Sequence, residues 1–320
     1  MSFRISSLLR LLPVSLLAGA QCASSTAETS VPSAAPLPKG FEQYWFQGKA
    51  ELTSYDLAQA RYGELHRGEA VLVFVTEDLS RRKQVKLDNP DAASAADRLP
   101  VLKLNFSKKF NTGIYPYSIL TSTFTPLDPA ADPHSPKVSM SMQEWCGHVF
   151  TQLNLKGNAY AVSQKSYFES EGDSETTLPA ALLEDELWNR IRLDPAGLPT
   201  GSIKLVPSAA FCRLQHLPLR AEAATARRAA AGPKLAGPGP AQAYTVAYAG
   251  PKQHTLTICY EPAFPYQILG WEETYLDSPG AAQPRLLTTR ATRRRRIKLD
   301  YWRTHSNADA AWRDSLGLPR

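Results

Sequence analysis

The sequence predicts a mainly β protein, an antiparallel meander forming curved sheets or a partly open barrel, with one prominent amphipathic helix. Three observations carry this. Apolar residues recur with period two along most of the chain, which is the strand signature. Turn-forming residues separate many of these runs, as at Asp88-Asn89-Pro90, Asp128-Pro129, Lys156-Gly157-Asn158 and Asp277-Ser278-Pro279-Gly280. One segment shifts clearly to three-to-four spacing.

Taken in order, the chain opens on an export signal. Arg4 and Arg10 give a positive start, Leu8 to Ala18 is an apolar run broken by Arg10, Pro13 and Ser15, and Ala18-Gly19-Ala20 offers the small-x-small cleavage pattern. Residues 1–20 therefore read as a removable signal peptide, too short to span a bilayer. Cys22 follows where a bacterial lipoprotein is acylated, although Gly19 and Gln21 occupy places that prefer Leu and a small residue. Residues 21–40, rich in Ser, Ala, Thr and Pro, read as a flexible spacer.

Removing residues 1–20 takes two of the 36 basic residues and none of the 30 acidic ones, leaving a mild +4. With 43% hydrophobic residues the remainder is globular. Export removes nucleotide and nicotinamide chemistry, and no cofactor and no nucleic-acid partner are expected.

Strands are predicted at Glu69–Glu77, Leu99–Phe106, Asn111–Thr125, Lys137–Met142, Cys146–Leu155, Ala159–Glu169 and Ile203–Val206. Four more follow at Tyr244–Ala249, Thr255–Tyr260, Tyr266–Tyr275 and Leu286–Tyr301. The helix is placed at 178–191. Thr177 caps it, Pro179 suits its first turn, and Leu182, Leu183, Leu187, Trp188 and Ile191 form its apolar face before Asp194-Pro195 ends it. A weaker helix is expected at Asn307–Leu316 behind Ser306, and Ser54–Tyr62 fits helix and strand equally. Residues 229–242, a Gly/Pro/Ala stretch, read as a linker between a 41–228 β-rich region and a 243–320 β region. An apolar ligand cavity of at least ~300 Å³ is expected between the helix and the sheet.

Several segments carry a family resemblance. Tyr44-Trp45, Leu52 to Tyr55, Ala60 to Glu64, Lys108 to Tyr117, Gln143 to His148 and Ser166 to Asp173 together resemble a family of exported bacterial proteins often labelled septum formation inhibitor Maf. The resemblance covers most of the mature chain and implies no established activity. The label implies a nucleotide pyrophosphatase with a Ser-x-Ser-Pro-Arg-Arg stretch. Ser80-Arg81-Arg82-Lys83 is the nearest approach and lacks the proline, so that activity is not expected.

Two constellations offer chemistry. If Gln143 to His148 is extended, Glu144, Cys146 and His148 share one face, and Cys146 with His148 can ligate a metal completed by Glu169, Glu171 or Asp173. The alternative is a strand whose polar face meets solvent while Trp145, Val149 and Leu153 face the core. The second constellation is the run Arg293 to Arg296, where Arg290, Arg294, Arg296 and Lys298 share one face of a regular strand and suit an anionic envelope lipid, lipopolysaccharide or glycan. The bland alternative is an edge strand kept soluble by charge. Cys146, Cys212 and Cys259 read as small buried side chains, and His66, His134, His216, His254 and His305 as isolated surface or core residues. The functional expectation is a non-catalytic envelope protein, in the periplasm or at the outer membrane, that binds a hydrophobic or anionic ligand, with peripheral membrane association through Cys22. The competing expectation is a metal-assisted hydrolase using Cys146, His148 and a nearby carboxylate.

Overall fold

Fifteen strands form one sheet, and their order is the chain order bent into a circle. The computed structural model describes residues 37–319, apart from 233, 234, 236, 238, 278 and 280–282. The signal peptide, Cys22 and the spacer up to residue 36 lie outside the described residues. The chain divides into two units, Met1–Pro32 and Ser33–Arg320, and all described residues belong to the second.

The strands are β1 (Ala50–Arg61), β2 (Glu64–Ser80), β3 (Arg98–Thr112), β4 (Tyr115–Pro126), β5 (Lys137–Glu144), β6 (Gly147–Lys156), β7 (Ala159–Ser166) and β8 (Ser174–Pro179). They continue as β9 (Leu182–Leu183), β10 (Gly201–Val206), β11 (Glu222–Ala230), β12 (Gln242–Tyr248), β13 (Thr255–Tyr260), β14 (Ile268–Asp277) and β15 (Arg285–Leu299). Consecutive strands from β1 to β8 pair antiparallel, those from β10 to β15 do the same, and β1 pairs with β15. Among the described residues, only β9 runs parallel to its neighbour, β10. β8 and β9 are the two edges, yet just Ala180 and Ala181 separate them in the chain. Three peptide steps reach at most about 11 Å, so the sheet must curl until its edges face each other. Leu178 of β8 and Leu183 of β9 duly share one apolar cluster with Val138, Leu153, Tyr160, Val162 and Val206. The architecture is a partly open, up-and-down barrel with an unbonded seam.

Among the described residues, four short helices accompany it: α1 (Phe41–Trp45), α2 (Leu187–Leu193), α3 (Ala209–Leu214) and α4 (Ala311–Ser315). The predicted helix at 178–191 is corrected on both ends. Ser174–Pro179 is a strand because β7 offers it a free edge, with Thr177 paired to Ala161 rather than capping a helix. Leu182 and Leu183 pair with Leu205 and Val206, a 3-10 turn covers Glu184–Glu186, and only Leu187–Leu193 is α-helical. This helix lies inside the curled sheet, with Leu187, Trp188, Asn189, Ile191, Arg192 and Leu193 all buried.

The lumen is consequently full. Trp188 meets Phe106 and Trp271 edge-on at 5.0 and 5.1 Å, and Phe106 meets Trp271 at 5.1 Å. Such contacts each add about 0.5–1.5 kcal/mol beyond area burial. The space between α2 and the sheet is a cavity of about 20 Å³. The expected apolar ligand cavity there is overturned, because the aromatic side chains that suggested a binding surface pack against one another instead.

The stretch expected to be an interdomain linker joins two paired strands. Ala230 faces Gln242 across the β11–β12 hairpin, and the Ala231 N–H donates to the Ala241 carbonyl at 3.0 Å. The boundary between 41–228 and 243–320 therefore falls inside one continuous sheet. Ser54–Tyr62 is resolved in favour of a strand, since β1 is paired on both edges, to β2 and β15. The C-terminal segment expected as a helix over Asn307–Leu316 forms a 3-10 turn at Asn307–Ala310 and then α4, with Ser306 and Asp309 making a capping box. Leu316 and Leu318 then cover Ala50 and Leu52 on the outer face of β1.

Candidate functional site

The hairpins β1–β2, β3–β4 and β5–β6 and the β7–β8 loop open at one rim of the barrel, and the residues that matter for chemistry lie below that rim. Inward phase places them. Lys108 sits between inward Phe106 and Phe110 on β3, and Glu273 between inward Trp271 and Tyr275 on β14, each at period two. His254 precedes inward Leu256 and Ile258 of β13, while Glu184 and Asp185 come from the turn that leads into α2.

These groups form a buried polar centre. His254 Nε2 is 3.2 Å from Glu273 Oε1, and its Nδ1 is 3.9 Å from Glu184 Oε2. The imidazole is sandwiched between the Phe211 ring at 3.7 Å and the Tyr248 ring at 4.7 Å, both nearly parallel to it. The Tyr248 hydroxyl donates to Glu184 Oε2 at 2.6 Å, and Lys108 Nζ lies 3.8 Å from Glu273 Oε2. The small cavity beside α2 is lined by Lys108, Thr121, Glu184, Asp185 and Glu273, among others.

Burial decides the ionisation of this centre. It drives the Glu184 carboxyl above its ordinary range, helped by the Glu273 charge against the opposing pull of His254. It likewise pushes Asp185 up to about 7. Burial acts against an imidazolium at His254, but Glu184 and Glu273 outweigh it and raise that group. At Glu273 burial is outweighed by Lys108 and by His254, so the carboxyl stays low. Glu184, His254 and Glu273 form a group whose donor atoms lie within 4.8 Å of one another, one imidazole nitrogen with two carboxylate oxygens.

A second arrangement lies higher on the rim. Glu171 Oε1 is 2.9 Å from Arg213 Nη1 and 2.7 Å from His216 Nδ1, while the Ser166 hydroxyl donates to Glu171 Oε2 at 2.8 Å. Burial lowers the His216 pKa despite Glu171, with the Arg213 charge assisting, and keeps the ring neutral at pH 7. His216 holds a left-handed φ of 52°, a conformation a non-glycine residue adopts only when its surroundings fix it. These residues border a cleft of about 280 Å³ between the 209–219 segment and strands β6 to β8. Thr151, Gln164, Ser170 and Ser174 line it on one side, and Leu217, Pro218 and Leu219 on the other.

The constellation Glu144, Cys146 and His148 is not extended. The chain reverses at Trp145-Cys146, Glu144 pairs with Gly147 across the β5–β6 hairpin, and the Cys146 N–H donates to Glu144 Oε2 at 2.7 Å. This reversal explains why Met142 and Val149 both face the core. Cys146 is exposed rather than buried, while Cys212 and Cys259 are buried. Hydrogen bonding to Glu144, and the Glu144 charge, hold the Cys146 thiol above its ordinary value, which makes it a poor ligand or nucleophile. Trp145, expected in the core, is 68% exposed at the tip. Of the carboxylates proposed to complete a metal shell, Glu171 is engaged by Arg213 and His216, Asp173 lies 3.9 Å from Lys165, and Glu169 is exposed. None joins Cys146 and His148 in a ligand cluster among the described residues.

The arginine row is broken by a bulge. Ser54 pairs with Arg295 and Tyr55 with Arg293, leaving Arg294 as the extra residue. Arg290 therefore points to the outer face with Ala58, whereas Arg296 and Lys298 share the inner face with Thr53 and Glu51. Their charges are also met within the protein: Arg290 by Glu272, Arg294 by Asp56, and Arg296 by Glu51 at 3.5 Å. Lys298 caps the Tyr44 ring at 3.8 Å and donates to Gln47 at 3.2 Å. Ser80 to Lys83 is likewise structural, since Ser80 donates to Asp97 and Arg81 grips Asp132 with two hydrogen bonds.

Sequence reading missed His254, Glu273, Glu184, His216 and Arg213. The available signal was phase: Lys108, Glu273 and His254 each fall on an inward position among aromatic or aliphatic neighbours, where an ionisable group requires a partner. Among the described residues no helix is long and apolar enough to cross a membrane. No family model matches the chain, and no curated protein matches it. Among solved structures, the chain is similar to a β-barrel-like protein of a domain of unknown function, DUF1849, from Brucella abortus, at 11% identity and a TM-score of 0.45, over 78% of this chain and 97% of that one.

Proposed function

We propose that this protein is a non-catalytic binding protein of the cell envelope and that its ligand is a small hydroxyl-rich molecule, such as the sugar portion of a lipopolysaccharide or envelope glycan, held in the rim cleft. The observation that carries the reading is the lining of that cleft. Thr151, Gln164, Ser170 and Ser174 make no side-chain hydrogen bond to another described residue, while Leu217, Pro218 and Leu219 form an apolar wall opposite. A sugar ring matches this pattern, with hydroxyls for the free donors and acceptors and a C–H face for the wall. The volume of about 280 Å³ is near the lower end for small-ligand sites. The export-signal pattern of residues 1–20 supports the location, and a packed lumen argues against an acyl chain as the ligand.

The test is calorimetric titration of the full mature chain with lipid-free lipopolysaccharide core oligosaccharide, with a fatty acid as the comparison. Saturable binding of the oligosaccharide, weakened about tenfold or more by Gln164→Ala with Ser174→Ala, is the expected result. Binding of the fatty acid alone, or oligosaccharide binding indifferent to those substitutions, overturns it.

A further inference from the structure

We infer that Glu184 and His254 Nδ1, with Glu273 holding the other imidazole nitrogen, form a structural site for one divalent transition-metal ion of the zinc or manganese class, buried between the Glu184–Glu186 turn and strands β13 and β14. This site is separate from the rim cleft and does not rest on the ligand proposed for it.

Geometry comes first. The three donor atoms lie within 4.8 Å of one another, and His254 Nδ1 and Glu184 Oε2 are 3.9 Å apart. An ion about 2.0–2.2 Å from each can bridge that separation. His254 is only 2% exposed, and its Nδ1 makes no hydrogen bond, which leaves a buried donor atom aimed at Glu184. The opposite nitrogen, Nε2, sits 3.2 Å from Glu273. A metal-binding histidine characteristically has its second nitrogen held by a carboxylate, which fixes the ring and the tautomer. Here the stacked rings of Phe211 and Tyr248 fix the plane as well.

Charge points the same way. Buried Glu184 and Glu273 face one ammonium, that of Lys108 beside Glu273, so the acidic groups outnumber the basic ones before His254 is counted. Room for a further ligand exists, since the adjoining cavity of about 20 Å³ exceeds the ~10–15 Å³ one water requires. One nitrogen with carboxylate oxygens suits zinc or manganese better than a soft ion or calcium. The balance is one of ligand exchange: the ion takes the imidazole lone pair at Nδ1, and any proton there leaves to solvent.

The experiment uses the full mature chain, stripped with chelator and dialysed against micromolar Zn²⁺ or Mn²⁺, with bound metal measured by mass spectrometry and thermal unfolding followed in parallel. One ion per chain and a clear rise in Tm are expected. Glu184→Gln and His254→Asn should each weaken binding at least a hundredfold, while Cys146→Ser with His148→Ala leaves it unchanged. Should the buried variants fail to fold, X-ray absorption at the zinc edge of the wild type decides, with an oxygen shell plus one imidazole expected. Binding below a tenth of an ion per chain, a sulfur scatterer in the first shell, or loss of binding in the Cys146/His148 variant overturns the inference.

Discussion

At the scale of single residues, the barrel end opposite the rim is organised by Arg192 and Glu51. Both are 1% exposed, and the guanidinium grips the carboxylate at 2.5 and 3.0 Å while its Nε donates to the Pro265 carbonyl at 2.8 Å. Trp45 and Phe74 lie against the guanidinium, with ring centres 4.9 and 4.7 Å away. Breaking a buried pair leaves its other member uncompensated, at a cost of about 3–5 kcal/mol. Arg192→Met should therefore lower unfolding free energy by about that amount in urea titration. The pair also sets an acid limit. Burial works to raise the Glu51 carboxyl, but the Arg192 charge and hydrogen bonds prevail and lower it from 4.5. A depressed carboxylate adds stability above its unfolded pKa and loses it as pH falls through the folded value. Stability should decline below about pH 4.5, and Glu51→Gln should flatten that decline while costing stability at pH 7. A pH series of melting curves for both proteins checks the sign.

At the scale of elements, α2 is tied to strands β3 and β4 by one amide. Asn189 Nδ2 donates to the Leu102 carbonyl, the Thr123 carbonyl and the Thr125 hydroxyl at 2.9, 3.3 and 2.9 Å. Asn189→Leu keeps the volume but removes all three bonds, with the Thr125 hydroxyl keeping Ser135, and a loss of about 1–3 kcal/mol is expected from equilibrium unfolding. What was legible here follows burial. Thr255–Tyr260 alternates cleanly, and its predicted bounds match β13. β1 did not declare itself because it is covered on both faces, by the lumen and by Leu316 and Leu318, so its alternation is erased. The 182–191 leucines carry helical spacing, yet edge pairing with β10 claims the first two. The hairpin tip at Trp145-Cys146 was invisible because it contains no turn residue before Gly147. Each inward charge could be read from strand phase, but its partner could not. His254 and Glu184 are 70 positions apart, and only closure of the sheet brings them together.

At the scale of the whole molecule, stability should fall away from the β1–β15 pairing toward the seam. β1 and β15 have partners on both sides, whereas β8 and β9 have one each. Hydrogen exchange followed by mass spectrometry should find amides of 174–179 and 182–183 exchanging well before those of 50–58 and 290–299, as expected for edges that open locally. Uniform protection across the sheet would show that the seam is sealed by packing alone.

The cyclic strand order has one more consequence. Ala50 faces Leu299, so the first and last strands lie side by side, and the fold is a ring of hairpins whose cut falls where pairing is continuous. Its weakest junction is closed by Ala180 and Ala181 rather than by hydrogen bonds. A circular permutant, with the old ends joined by a flexible tether and new ends opened between Ala180 and Ala181, keeps every strand pair while removing that tie. If it folds with the wild-type circular dichroism spectrum, pairing alone dictates the shape; if it opens into a sheet, two alanines are the latch of the barrel.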